Sequence, residues 1–131
     1  MSVTPGEVFA RLLSGIEKRR FEDLADLYAE DCVVELPFAL PEPVRLVGRS
    51  ALAAHFERSR RTPMDMTVRN PVVHETGDPE VIIAEWDYTL RNRSSGAELA
   101  VSNIQVLRVR DGKIVATRDF HNHAAMAAAM G

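Results

Sequence analysis

A chain of 131 residues, 46% hydrophobic and 27% charged, suits one domain spanning 1–131, since a chain this long buries roughly two-thirds of its unfolded surface. A formal charge of −3 argues against a nucleic-acid partner, because neutralising phosphates takes a concentrated basic face. Cys32 is the one cysteine, which excludes an intrachain disulfide and fits a reducing compartment.

The opening "MSVTPGEVF" has no apolar signal-peptide core, and no apolar run is long enough to cross a bilayer, so a cytoplasmic protein without a membrane partner is expected. Thr4, Pro5 and Glu7 form a helix start: a capping hydroxyl, a proline in the first turn and a carboxylate able to reach back. Val8, Phe9, Leu12, Leu13 and Ile16 then share one face. The basic clusters Lys18-Arg19-Arg20 and Arg58-Ser59-Arg60-Arg61 close predicted helices and read as solvated helix ends.

"FEDLADLYA" puts Phe21, Leu24, Leu27 and Tyr28 on a second helical stripe, and "CVVEL" is a short strand with Cys32 in the core. Three prolines in "PFALPEP" exclude a regular ladder. Ser50 is placed to cap a third helix running to about Ser59, with Leu52, His55 and Phe56 facing inward. The period then changes to two. "MTVRNPVVHET", "EVIIAEWDYTLRN", "AELAVSNIQVLRVR" and "KIVATRDFH" read as four strands joined by short turns, hence an antiparallel meander. Pro71 predicts a bulge, a bend or an edge position in the first of them. "HAAMAAAMG" reads as a short helix or a frayed tail.

The order ααβα followed by four strands predicts an α+β domain: a strongly curved, mainly antiparallel sheet with helices packed on one face. The strand from Ala97 carries Val101, Leu107 and Val109 on one face and Ile104 and Val106 on the other. A second subunit is the expected cover for the outer set, giving a homodimer.

The element order, "FEDLADLYAEDCVVELPF", "VGRSALAAHF" and "LRVRDGKIVATRDF" together resemble the nuclear-transport-factor-2-like (NTF2-like) superfamily, in particular its SnoaL-like polyketide cyclases and ketosteroid-isomerase relatives. The resemblance covers nearly the whole chain and implies a cone of sheet against three N-terminal helices, enclosing a cavity. That fold serves isomerases, cyclases, epoxide hydrolases, dehydratases and non-catalytic modules. The isomerase base corresponds here to Leu36, and its oxyanion-hole Tyr and Asp to Leu12 and Gln105, so steroid isomerisation is not expected. Thr117 and Arg118 occupy the positions before Asp119, unlike the epoxide hydrolases, which place an Arg two residues before the Asp.

The SnoaL-like cyclases are similar in using an Asp near the end of the last strand as acid/base, a position held here by Asp119. Alternation puts Thr117, Asp119 and His121 on one face. If that face is inward, burial raises the carboxyl pKa toward a useful range while a nearby imidazolium lowers it, and the two titrate together. On the neighbouring strand Asn103 and Gln105 share a face and become candidate donors to an enolate oxygen. His55, Trp86, Tyr88 and Tyr28 are candidate pocket walls for a small hydrophobic, carbonyl-containing or polyketide-like molecule. The bland readings are a surface ion pair with Arg118 or a turn contact for Asp119, core packing for Trp86 and Tyr88, a satisfied buried imidazole for His55, a structural or exposed place for His74, and exposure for His123. His121 and His123 lack the spacing of a familiar metal motif, and neither metal nor cofactor is expected. The site is thus expected to be a cofactor-independent acid/base centre, with a non-catalytic ligand-binding or dimerisation module as the alternative.

Overall fold

A computed structural model describes residues 3–130. Helix α1, Pro5–Glu17, starts where the sequence predicts. The Thr4 hydroxyl oxygen accepts the Glu7 N–H at 3.2 Å and the hydroxyl donates to the Glu7 carboxylate, so Glu7 reaches the capping hydroxyl instead of the Thr4 backbone. Val8, Phe9, Leu12 and Leu13 are buried.

Arg19 is not a solvated helix end. It has a positive φ of 58°, and its guanidinium donates to the carbonyls of Arg60 (2.9 Å), Thr62 (3.1 Å) and Met64. Bonds from a charged donor offset the small penalty of the left-handed backbone. In the other cluster Arg60 and Arg61 pair with Glu57.

The second helix is shorter than the stripe suggests. One α-turn, α2 at Phe21–Leu24, passes into a 3-10 turn at Ala25–Leu27, and Tyr28 already begins strand β1, Tyr28–Leu36. Ladder pairing of Tyr28 with Ile114, continued by the pairing of Val33 to Leu36 with Val44 to Val47, overrides weak helical periodicity. Strand β2, Val44–Val47, follows the prolines and pairs antiparallel with β1. Helix α3, Arg49–Arg60, is preceded by Gly48 at φ 90° without a side-chain cap, so Ser50 lies inside the first turn.

Strand β3, Met64–Glu75, is an edge strand whose register slips between Arg69 and Val72 at Asn70, φ 52°, so Pro71 marks both a bulge and an edge. Strands β4 (Val81–Asn92), β5 (Glu98–Arg110) and β6 (Lys113–Phe120) complete the meander, and helix α4, His123–Met130, follows. The six-stranded sheet runs β2-β1-β6-β5-β4-β3, antiparallel except for the parallel pair β1 and β6. No described helix is long and apolar enough to cross a membrane.

The inner face of the sheet presents Ile82, Ala84, Trp86, Tyr88 and Leu90 from β4, Val101, Asn103, Gln105, Leu107 and Val109 from β5, and Ile114, Thr117 and Asp119 from β6, all buried. Phe9, Leu12, Phe21, Cys32, Leu52 and Phe56 close the core against it. Truncating a fully buried leucine such as Leu52 costs about 2–5 kcal/mol in cores of this kind. On the outer face Ile83 and Ile104 stay accessible, with Ile104 43% exposed.

Candidate functional site

The strand register builds the site. Gln105 of β5 is the direct partner of Asp119 of β6, on the same face of neighbouring antiparallel strands. That juxtaposition carries a side-chain hydrogen bond, Gln105 Nε2 donating to Asp119 Oδ1 at 2.7 Å. Asn103, two residues back along β5 and opposite Trp86 of β4, stands beside His121, with its Oδ1 2.7 Å from the ring Nδ1. Successive rungs thus hold a carboxyl and an imidazole, each braced by one carboxamide.

Asp119, Gln105 and His121 line a cavity of about 280 Å³, between the concave sheet and the helices. Its wall also includes Tyr28, His55, Trp86, Tyr88 and His123. Leu12 and Leu36 lie on it as well, so positions that would carry isomerase machinery reach the hollow as hydrocarbon. The aromatic wall is ordered edge to face, Trp86 against Tyr88 at 5.7 Å and His121 at 6.1 Å, with Phe9 of the core meeting Trp86 at 5.2 Å.

Two expected site residues stand apart. Thr117 is buried without lining the cavity. Asn103, 2% exposed, borders instead a second depression with Phe38, Ile104 and Phe120. Gln105 is committed to Asp119. The two carboxamides therefore brace the titrating groups, in place of the expected pair of open donors.

His123, expected to be exposed, is half-buried on the cavity wall, its ring 5.7 Å from that of His121. The chain folds back into α4, which also brings Met126 to the cavity; a helix start two residues after His121 was the available signal. His74 is exposed and 2.6 Å from Glu85. Arg118 lies over the Phe120 ring on the opposite face from Asp119, so the two form no ion pair. Among the described residues no three His, Cys, Asp or Glu side chains group as a metal would require.

Burial dominates the electrostatics. It pushes the Asp119 carboxyl up to about 6, against the hydrogen bond from Gln105 and a weaker pull from Thr117. It pushes His121 down to about 4, helped by His123 and His55. Joint titration of the pair does not arise, because desolvation drives the two groups apart and leaves an ionised carboxylate and a neutral ring at neutral pH. His55 is lowered by burial, Arg58 and His123, and His123 by burial. Tyr28 and Tyr88 are raised chiefly by burial and then by Asp119, among other groups, so both phenols keep their protons and remain donors.

A family model for the SnoaL-like domain matches residues 9–117. The chain belongs to this family and has its NTF2-like fold. It is 35% identical over 128 residues to an uncharacterized PhzA/B-like protein of Pseudomonas aeruginosa, covering 95% of this chain and 89% of that one. The crystal structure of a candidate isomerase from Bacillus subtilis superposes with a TM-score of 0.88 at 24% identity, covering 95% and 91% of the two chains. That of a candidate polyketide cyclase from Xanthomonas campestris gives 0.80 at 17% identity, covering 97% and 96%.

Proposed function

We propose that the protein is a cofactor-independent acid/base enzyme, a cyclase, isomerase or dehydratase, acting on a small hydrophobic carbonyl or polyketide-like molecule. The observation that carries this reading is Asp119: a carboxyl 8% exposed, set in an apolar hollow, with its pKa pushed up to about 6. A base of that strength is ionised at neutral pH yet strong enough to take a proton from carbon beside a carbonyl. Asp119 removes the α-proton and becomes the carboxylic acid while the substrate becomes an enolate. The protonated phenols of Tyr28 and Tyr88 supply donors for the oxygen that gains charge. Asp119 then returns the proton to another carbon, which is isomerisation. Alternatively the enolate carbon attacks a second carbonyl of the same molecule, and the resulting alkoxide takes the proton back, which is aldol cyclisation. The leucine, phenylalanine and methionine lining favours an apolar substrate.

The test is deuterium exchange at the α-carbons of 2-tetralone in D2O, followed by NMR. The wild-type protein is expected to accelerate exchange, and Asp119→Asn to lose about 10²–10⁴-fold of that acceleration. Binding of 2-tetralone without accelerated exchange would favour a ligand carrier.

A second copy is the inferred cover for the outer sheet face. Ile83 and Ile104 are exposed there between acidic Glu85 and Asp87 and basic Arg108 and Arg118, and Phe38, 62% exposed, packs edge to face on Phe120. Two-fold pairing of such a face sets acid against base around an apolar centre.

A further inference from the structure

The contact between Asn103 and His121 can hold its protons in two ways. With Asn103 Oδ1 toward the ring, at the 2.7 Å observed, Nδ1 carries the proton and Nε2 is left as a lone pair. In that arrangement Asn103 Nδ2 is buried with no hydrogen-bond partner. A buried, unpaired N–H is costly, and orphaned N–H groups are rarer in proteins than under-satisfied carbonyls. Half a turn of the carboxamide exchanges that orphan for the more tolerated kind. Nδ2 then donates to His121 Nδ1, and the carbonyl oxygen takes the place of the unpaired amide.

We propose that Asn103 is a positioning residue which, with its carboxamide turned so that Nδ2 donates to His121 Nδ1, fixes the neutral ring as its Nε2–H tautomer and so gives the cavity a hydrogen-bond donor for the carbonyl oxygen of the substrate. The donor role rests on the acid/base reading of the cavity given above; the tautomer does not. The ring has one nitrogen committed to Asn103, and Nε2 is the atom left for a ligand in a cavity that His121 lines. Burial keeps that ring uncharged at neutral pH. A neutral imidazole N–H is a suitable partner for the base: Asp119 takes a proton from carbon, and His121 stabilises the oxygen that becomes negative without first having to lose a charge of its own. This supplies the donor that Asn103 and Gln105, turned to other tasks, do not.

The test is a long-range ¹H–¹⁵N correlation spectrum of the histidine-labelled full chain near pH 7.5, with His121 assigned by its loss in His121→Gln. The expected wild-type pattern is that of the Nε2–H tautomer. Asn103→Asp, whose carboxylate can only accept, should switch the ring to Nδ1–H. It should also lower the turnover of 2-tetralone exchange by about 10²-fold with KM little changed, while far-UV circular dichroism stays native. Asn103→His retains a donor and should recover part of the rate. A wild-type spectrum of the Nδ1–H type overturns the proposal whatever the turnover. An Nε2–H spectrum that does not respond to Asn103→Asp overturns the control by Asn103. A switched tautomer with unchanged turnover overturns the donor role. Absence of any exchange with the wild-type chain sinks the acid/base reading and the donor role with it, while the spectrum still decides the tautomer.

Discussion

Gln105 donates to Asp119 at 2.7 Å through Nε2, while its own carbonyl oxygen is buried and has no partner. The amide is thus spent on one carboxyl, and it opposes the rise that burial imposes. Removing it with Gln105→Leu should raise the Asp119 pKa above its present value of about 6 by roughly one unit, the weight of a hydrogen bond to a charged acceptor. The rising limb of the exchange rate against pH should move up correspondingly. A limb that stays put would show that Gln105 does not tune the base.

Asp119 also costs stability. Its folded pKa lies above its ordinary value of 3.8, so the folded chain holds the proton more tightly than the unfolded one between about pH 4 and 6. The stability this gives is fully present below that window and is lost as pH rises through it. Asp119→Asn keeps an acceptor for Gln105 and removes the buried charge. At pH 8 it should raise the unfolding free energy by about 2 kcal/mol, with little gain at pH 4, as read from urea denaturation at both values.

His121 has the opposite slope. Its folded pKa of about 4 lies below the usual 6.5, so the unfolded state takes up the proton first and stability falls as pH drops from about 6.5 toward 4. His55 and His123, lowered in the same direction, add to this. The wild-type curve of stability against pH should be shallow where Asp119 and His121 oppose each other. His121→Gln should reduce the fall on the acid side, and Asp119→Asn should steepen it. A wild-type curve as steep as that of Asp119→Asn would contradict the assignment.

On the outer face, Ile104→Glu places a carboxylate among Ile83, Phe120 and the acidic residues of β4. If two copies meet there, sedimentation velocity should show a dimer for the wild type and a monomer for the variant, with thermal stability changed by less than about 1 kcal/mol after allowing for association. A wild-type monomer at micromolar concentration would remove the interface.

The α+β class and the face assignment of β5 and β6 were legible in the sequence because strict alternation survives wherever one side of a strand is buried and the other wet. Tyr28, Trp86, Tyr88, Gln105, Asp119, His121 and His55 accordingly reach one hollow. The sequence is less informative where local signals are short or conflicting. Strand β2 is four residues behind a proline-dense segment, and "FEDLADLYA" has helical spacing that strand pairing from Tyr28 overrules. Asn103 and Gln105 share a face, but alternation does not reveal that one rung opens on the cavity and the next lies beyond it. His123 comes inward because the chain reverses into α4, a tertiary event with no period of its own.

Trp86 is the one tryptophan in the chain, and it stands on the wall of the hollow with its ring edge to face against Tyr88 and His121. All the intrinsic indole fluorescence of the protein therefore originates beside the candidate site. Entry of a carbonyl compound that reaches the ring should shift or quench that emission, so occupancy can be followed optically with no label attached and before any turnover assay exists.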